Sequence, residues 1–231
     1  MFVFGVIPAR AGSKGLPGKN LKRLAGRPLI AWSVASARKS RLLDRFIVST
    51  EDKAIAAAAR RAGGEAPFKR PSELARDDSS IIDVLQHAVR WLESAEKITP
   101  DVVILLQATS PFRSGRDIDE TVKLVLDGAD SAQTVAEDKA HPWHRFLLED
   151  GRLKQLYRKA KSLSRRQDAP PLYRPTGSVY AVRRALLMRE GTLYGKDHRG
   201  LVRPFESSVD IDDIWDFRLA EAILREKDPA R

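Results

Sequence analysis

Cysteine is absent from the 231-residue chain. That removes disulfides, a thiolate nucleophile and Cys-ligated zinc from consideration, and it fits a reducing compartment. No apolar run is long enough to span a bilayer, and no basic segment precedes an apolar stretch at the N-terminus. The expectation is a soluble, cytoplasmic protein with no membrane partner. Aromatic residues make up only 7% and do not interleave with basic ones as on a base-stacking surface. Acidic residues are the minority charge, 31 against 41 Lys and Arg, for a formal net charge of +10. That excess suits either a nucleic acid or an anionic small substrate, and charge alone does not choose.

Hydrophobic residues make up 42%, and the length suits one α/β domain, with or without a small appendage. The first twenty residues stand out. A short apolar run, Phe2 to Ile7, breaks at Pro8 into a loop of small residues carrying Arg10, Lys14 and Lys19. A strand feeding a Gly-rich basic loop can hold a polyphosphate, because glycines let N–H groups approach the anion and cations neutralise it. The plain alternative is a βα turn with solvated cations. Five residues separate Gly12 from Gly18 and Asn20 follows Lys19, so this is not a Walker A loop.

Further along, strands alternate with helices. Residues 28–39 read as a helix with Pro28 in its first turn. Phe46 to Val48 is a strand, and Thr50 or Asp52 caps a helix over Lys53 to Arg61, stopped at Gly63-Gly64. A helix from Ser79/Ser80 to Glu93 places Ile82, Leu85, Val89 and Leu92 on one face. Val102 to Leu106 is the continuous apolar run of a buried parallel strand. A helix over Arg116 to Leu126, strands over Ser131 to Val135 and Gly177 to Val182, and a closing helix over about Ile214 to Glu226 complete the pattern. It predicts a doubly wound, mostly parallel α/β sheet with helices on both faces. Loops 8–20 and 107–113 both follow strands, so both belong to the crevice at the strands' carboxyl ends. From 137 to 175 the rhythm fails, with His141-Pro-Trp-His144 and a basic run through Arg165 and Arg166. The chain therefore reads as one domain, 1–231, with 137–175 an inserted arm that contacts another subunit.

Asp210-Ile-Asp212 is the sharpest local constellation. On extended backbone, residues two apart point the same way. The two carboxylates would project together and share Mg²⁺, a hard ion that prefers oxygen. The alternative is that Asp212 or Asp213 merely caps the closing helix. Gln107-Ala-Thr-Ser-Pro-Phe-Arg113 could orient a sugar or could be turn chemistry alone. His141 and His144 have metal-ligand spacing, but Pro142 opposes a helix and no third ligand is evident. His87 sits mid-helix and His198 in a loop, neither with an evident partner.

Ile7-Pro-Ala-Arg-Ala-Gly-Ser-Lys-Gly15 with Lys19-Asn20 resembles the N-terminal signature of the acylneuraminate cytidylyltransferases, the CMP-sialic acid synthetases and their relatives. The resemblance continues through Val48-Ser-Thr-Glu51, Arg70-Pro-Ser-Glu-Leu74, Leu105 to Arg113, Arg174-Pro-Thr-Gly-Ser-Val-Tyr180 and Val209-Asp-Ile-Asp212. It implies a nucleotidyltransferase fold, CTP and a nine-carbon 2-keto sugar acid as substrates, Mg²⁺, and a homodimer built by the protruding segment. By resemblance, Arg10 and Lys14 contact the triphosphate, and Gly12, Ser13, Lys19 and Asn20 shape the nucleotide pocket. Arg70 and Ser80 read the cytosine end, Gln107 and Tyr180 line the sugar site, Arg166 is offered across the dimer, and Asp210 and Asp212 hold the metal. The departures are Ala108, Thr176 before Gly177, His144, and Thr192-Leu-Tyr194 where paired aromatics are usual. All fall around the sugar, so legionaminic, pseudaminic and 3-deoxy-octulosonic acids stay open as acceptors. A D-x-D glycosyltransferase and a basic RNA-binding protein are the other readings. The first predicts no pyrophosphate from CTP and a free keto acid, the second a steep salt dependence.

Overall fold

The computed structural model describes residues 1–138, 145–156 and 170–227. Among the described residues ten strands appear in chain order: β1 Val3–Pro8, β2 Arg23–Leu24, β3 Arg27–Pro28, β4 Arg45–Ser49, β5 Val102–Leu106, β6 Ser131–Glu137, β7 Phe146–Glu149, β8 Arg152–Gln155, β9 Tyr173–Arg183 and β10 His198–Val202. The α-helices are α1 Leu29–Arg38, α2 Lys53–Arg61, α3 Ile81–Ala95, α4 Gly115–Leu126, α5 Arg184–Glu190 and α6 Ile214–Lys227.

Six strands form the central sheet in the order β10-β6-β9-β5-β1-β4. β4, β1 and β5 are mutually parallel, β6 is parallel to β10, and β9 runs antiparallel between β5 and β6. The alternation of the strand side chains explains the two layers of helices. Val3 and Ile7 of β1, with Val102, Ile104 and Leu106 of β5, face α1, α2 and α4. Phe4 and Val6, with Val103 and Leu105, face Leu85, Val89 and Leu92 of α3 and Leu187 of α5. Both faces are covered, so the strands read as unbroken apolar runs, and the sheet is doubly wound as the sequence predicts.

Local signals set the helix starts. Asp52 caps α2 by accepting from the Ile55 N–H at 2.8 Å, and Ser80 caps α3 by accepting from Ile82 N–H at 3.1 Å. Ser114 and Asp117 form a reciprocal capping box at α4.

A third cluster decides the position of the site. Leu16 of the first loop, Leu24 of the β2–β3 hairpin, Leu29, Val209, Ile211, Phe217 and Ala220 pack together. Leu16 and Ile211 are nearly 200 residues apart in sequence, and this shared burial brings their polar neighbours to one place.

Beyond the elements that periodicity predicts, the described residues form α5, β10 and the β2–β3 and β7–β8 hairpins. His198, expected in a loop, begins β10, where its Nδ1 lies 2.7 Å from Ser131 Oγ. The excursion leaves and returns at one point. Glu137 pairs with Tyr173, and Asp138 N–H donates to Leu172 C=O at 2.7 Å. Within it, β7 and β8 form an antiparallel hairpin whose residues are all exposed. His141, His144, Arg165 and Arg166 lie outside the described residues.

Candidate active site

The carboxyl ends of β1 and β5 open into a cleft of about 310 Å³ lined by Pro8, Arg10, Lys19, Asn20, Arg70, Gln107 and Asp212 among others. Loop 8–20 and loop 107–113 therefore do share a crevice. The late aspartates join them. Lys19 Nζ donates to Ile211 C=O at 2.9 Å and to Asp212 Oδ1 at 3.0 Å. A Cβ on Gly15 would collide with the Asp212 carbonyl, so glycine is required for this approach. On the other side, Ile211 N–H donates to Thr109 C=O at 2.9 Å. Ile211 is fully buried, Asp212 lines the cleft, and Asp210 is half-buried.

The cap of α6 is Asp213, not Asp212. Its Oδ1 accepts from Asp216 N–H at 3.0 Å, and Asp216 Oδ2 accepts from Asp213 N–H at 3.1 Å. Asp212 is thereby left for the cleft. Burial pushes the Asp210 carboxyl up from its ordinary value, and the charge of Asp212 adds to this. A cation between the two would reverse both effects. The donor set is oxygen only, and the ammonium of Lys19 already stands against Asp212. No cluster of three acidic or His residues accompanies the pair among the described residues. Such a pair suits Mg²⁺, which takes one or two carboxylates and completes its shell with phosphates and water.

Leu74, Ile81 and Val84 add apolar surface to a lining that includes Arg70. Two residues that line the cleft each carry a buried polar atom with no protein partner, Arg70 Nε and Asn20 Oδ1. One is a donor and one an acceptor, and burial without partners is costly unless a ligand meets them. Asn20 Nδ2 is used internally, donating to the Arg10 carbonyl at 2.9 Å.

Arg10 and Lys14 are occupied by an acid that sequence reasoning missed. Asp77 lies 3.0 Å from Arg10 and 2.8 Å from Lys14. The hydrogen bond from Lys14, and then the charges of both cations, hold Asp77 below the ordinary carboxylate value. Lys14 is 83% exposed and reaches the cleft wall only through Asp77. Gly12 is exposed and Ser13 half-buried in the same loop.

Gln107 lines the cleft at the end of β5 and its Oε1 accepts from Thr109 Oγ1 at 3.4 Å. Its carbonyl is pinned by Arg113, whose Nη1 donates to Gln107 C=O at 3.1 Å and to Ser178 C=O at 2.7 Å. Burial lowers the pKa of Arg113 to about 9, against the pull of Asp117 and Asp210. Gly177, at φ +74°, sits in a break of register on β9, and a Cβ there would lie 2.7 Å from Asp210 Oδ2. Bulges of this kind re-aim a strand beside a site.

Of the expected site residues, Gly12, Ser13, Lys14, Ser80, Tyr180 and Asp210 do not line the cleft. The Ser80 hydroxyl is the α3 cap, and its neighbours Ser79 and Ile81 line the cleft instead. Tyr180 belongs to the α3-side core, where burial pushes its phenol up to about 12, with Tyr194 and Asp210 adding to the shift. No helix among the described residues is long and apolar enough to cross a membrane.

A family model described as cytidylyltransferase matches residues 4–225. A CMP-N,N'-diacetyllegionaminic acid synthase from Legionella pneumophila is 32% identical over 97% of each chain. An N-acylneuraminate cytidylyltransferase from Escherichia coli is 30% identical over 97% of this chain and 52% of its own length. The solved CMP:2-keto-3-deoxy-manno-octonic acid synthetase complexed with CTP superposes with a TM-score of 0.72 at 20% identity, covering 98% of this chain and all of that one. With a match along almost its whole length, and with Lys19 of the basic loop held against Asp212 in one cleft, the chain belongs to the cytidylyltransferase family.

Proposed function

We propose that this cytidylyltransferase joins the CMP moiety of CTP to the anomeric hydroxyl of a nonulosonic acid, a nine-carbon 2-keto sugar acid, and releases pyrophosphate. The observation that carries the reading is the Lys19 ammonium bridging the first loop to Asp212 inside the cleft. The names of the Legionella and E. coli relatives support an acceptor of this class.

In this reading the base lies against Leu74, Ile81 and Val84. Cytosine presents acceptors at O2 and N3 and a donor at N4. The free N–H of Arg70 matches the first kind, and the free Oδ1 of Asn20 is available to a ligand donor. Ser80 keeps the adjoining turn in place as the α3 cap. The triphosphate lies along Gly12, Ser13 and Lys19, and it displaces Asp77 from Arg10 and Lys14. Asp210 and Asp212 would hold Mg²⁺, which supplies charge neutralisation at the phosphates. The new bond joins the sugar oxygen to the α-phosphorus, the bond from that phosphorus to the β-phosphate oxygen breaks, and the hydroxyl proton leaves. Arg10, Lys14 and Lys19 offset the charge that grows on the leaving pyrophosphate. Gln107 and Tyr180 orient the sugar, and Arg166 reaches it from a second copy. Exposed Phe146, Leu147, Leu148 and Leu153 on the β7–β8 hairpin support that homodimer, since apolar side chains on both faces of a free hairpin call for a covering surface.

The test is pyrophosphate release from each of the four NTPs with a panel of nine- and eight-carbon 2-keto acids, with and without Mg²⁺. Turnover is expected with CTP, a nonulosonic acid and Mg²⁺ together. Arg10→Ala and Asp212→Asn should each slow it by about a hundredfold or more. Near-normal rates in both variants would remove the mechanism.

A further inference from the structure

Glu51 has no role in the proposed chemistry and does not line the cleft, yet it ties the first loop to Arg70. Its Oε1 accepts from Ala11 N–H at 2.7 Å, in the middle of the first loop. Its Oε2 accepts from Arg70 Nη2 at 2.7 Å. The backbone around it repeats the connection: Ala9 N–H donates to Ser49 C=O at 3.0 Å, and Arg70 N–H to Thr50 C=O at 2.9 Å. The end of β4 is thus a post on which both the loop and the arginine are hung.

Resting on the reading above, we infer that Glu51 is a positioning residue that couples nucleobase selection to triphosphate binding. The Arg70 side chain is only 3% exposed and its Nε has no partner, so its remaining donors point where Glu51 turns them. A guanidinium fixed against a two-acceptor edge distinguishes cytosine from uracil, whose N3 is a donor. One free to swivel does not. The same carboxylate holds Ala11 N–H, so motion at either end is felt at the other. Burial opposes the charge on Glu51, but hydrogen bonds from Arg70 and Ala11 N–H leave its pKa below the ordinary value. The carboxylate is therefore ionised, and both of its oxygens are engaged. An amide has a single acceptor oxygen and turns an NH₂ toward one of the two donors, so Gln at this position can serve only one of them.

The experiment measures dissociation constants by calorimetry for CTP, UTP and inorganic tripolyphosphate, with Mg²⁺, on wild type, Glu51→Gln and Glu51→Asp. Aspartate is one methylene shorter and cannot span both partners, so it guards against a folding defect peculiar to glutamine. In both variants CTP should bind about tenfold more weakly, the scale of a lost charge-assisted hydrogen bond. Tripolyphosphate should weaken less, and the CTP-over-UTP preference should collapse toward one. A purely structural residue would lower the melting temperature and leave that preference intact. Retention of the wild-type preference in either folded variant overturns the coupling. Wild-type protein that shows no preference for CTP overturns the underlying reading instead, so the two failures are distinguishable.

Discussion

Gly177→Ala offers the sharpest test of the geometry around Asp210. Two costs arise there. The first is conformational: φ is +74°, and an L side chain in that region costs about 1–2 kcal/mol. The second is contact: the new methyl would lie 2.7 Å from Asp210 Oδ2, so the carboxylate must retreat by roughly 0.7 Å or more to reach ordinary van der Waals distance. Gly191 separates the two costs. It has φ +63° at the end of α5, and a Cβ there meets nothing within 4 Å. Gly191→Ala should lose the same 1–2 kcal/mol in urea denaturation, about 2–8 °C in melting temperature for a chain of this size, with normal turnover. Gly177→Ala should lose at least as much stability and also about a hundredfold in kcat/KM for pyrophosphate release, as a misplaced group commonly does. If the two variants have kcat/KM values within about threefold of each other, Asp210 is not where the reaction needs it, and the argument from that contact fails.

Three further outcomes are expected. Ile211→Ala removes a fully buried side chain between the two aspartates and should cost about 2–5 kcal/mol by urea denaturation, with Mg²⁺ dependence shifted to higher concentration; Mg²⁺ dependence that stays put would mean the core does not set the carboxylates. Asp77→Asn withdraws the acid paired with Arg10 and Lys14, so tripolyphosphate should bind about threefold more tightly by calorimetry, the modest scale of an exposed pair. His198 is held below its ordinary pKa by burial, so the fold keeps it neutral. Its contribution is fully present above about pH 6.5 and is lost as pH falls through the depressed value. The decline in melting temperature from pH 7 to 5 should therefore be shallower in His198→Asn than in wild type.

Much of the fold is legible in local patterns. Val102–Leu106 is all apolar because both faces of β5 are covered, and it emerges as the strand expected. Lys53–Arg61 begins after Asp52 and ends before a glycine pair, and α2 has those bounds. α5 escapes notice because it is short, and β10 because it is an edge strand of half-exposed residues without a clean alternation. The antiparallel course of β9 is equally hidden, since a buried apolar strand carries no mark of its direction. Periodicity in the sequence fails between 137 and 175, the span that follows β6 and runs into β9. In three dimensions Glu137 pairs with Tyr173, so β6 and β9 lie side by side at the two ends of that span.

The site divides in the same way. The cations of the first loop, the aspartate pair and Gln107 can be picked out because residue type and spacing suffice to state their chemistry. Glu51 and Asp77 cannot, because each acts through partners 19 to 67 residues away. Local spacing also left open which aspartate caps α6, a choice made by the reciprocal bonds of Asp213 and Asp216. By itself the sequence determined the sheet's buried strands, most of the helices and the kinds of group available for phosphate and metal. Only the tertiary structure decided that Leu16 and Ile211 share one apolar cluster, and so that Lys19 meets Asp212. Burial of side chains far apart in sequence is a property of the whole packed chain, and no window of neighbouring residues contains it.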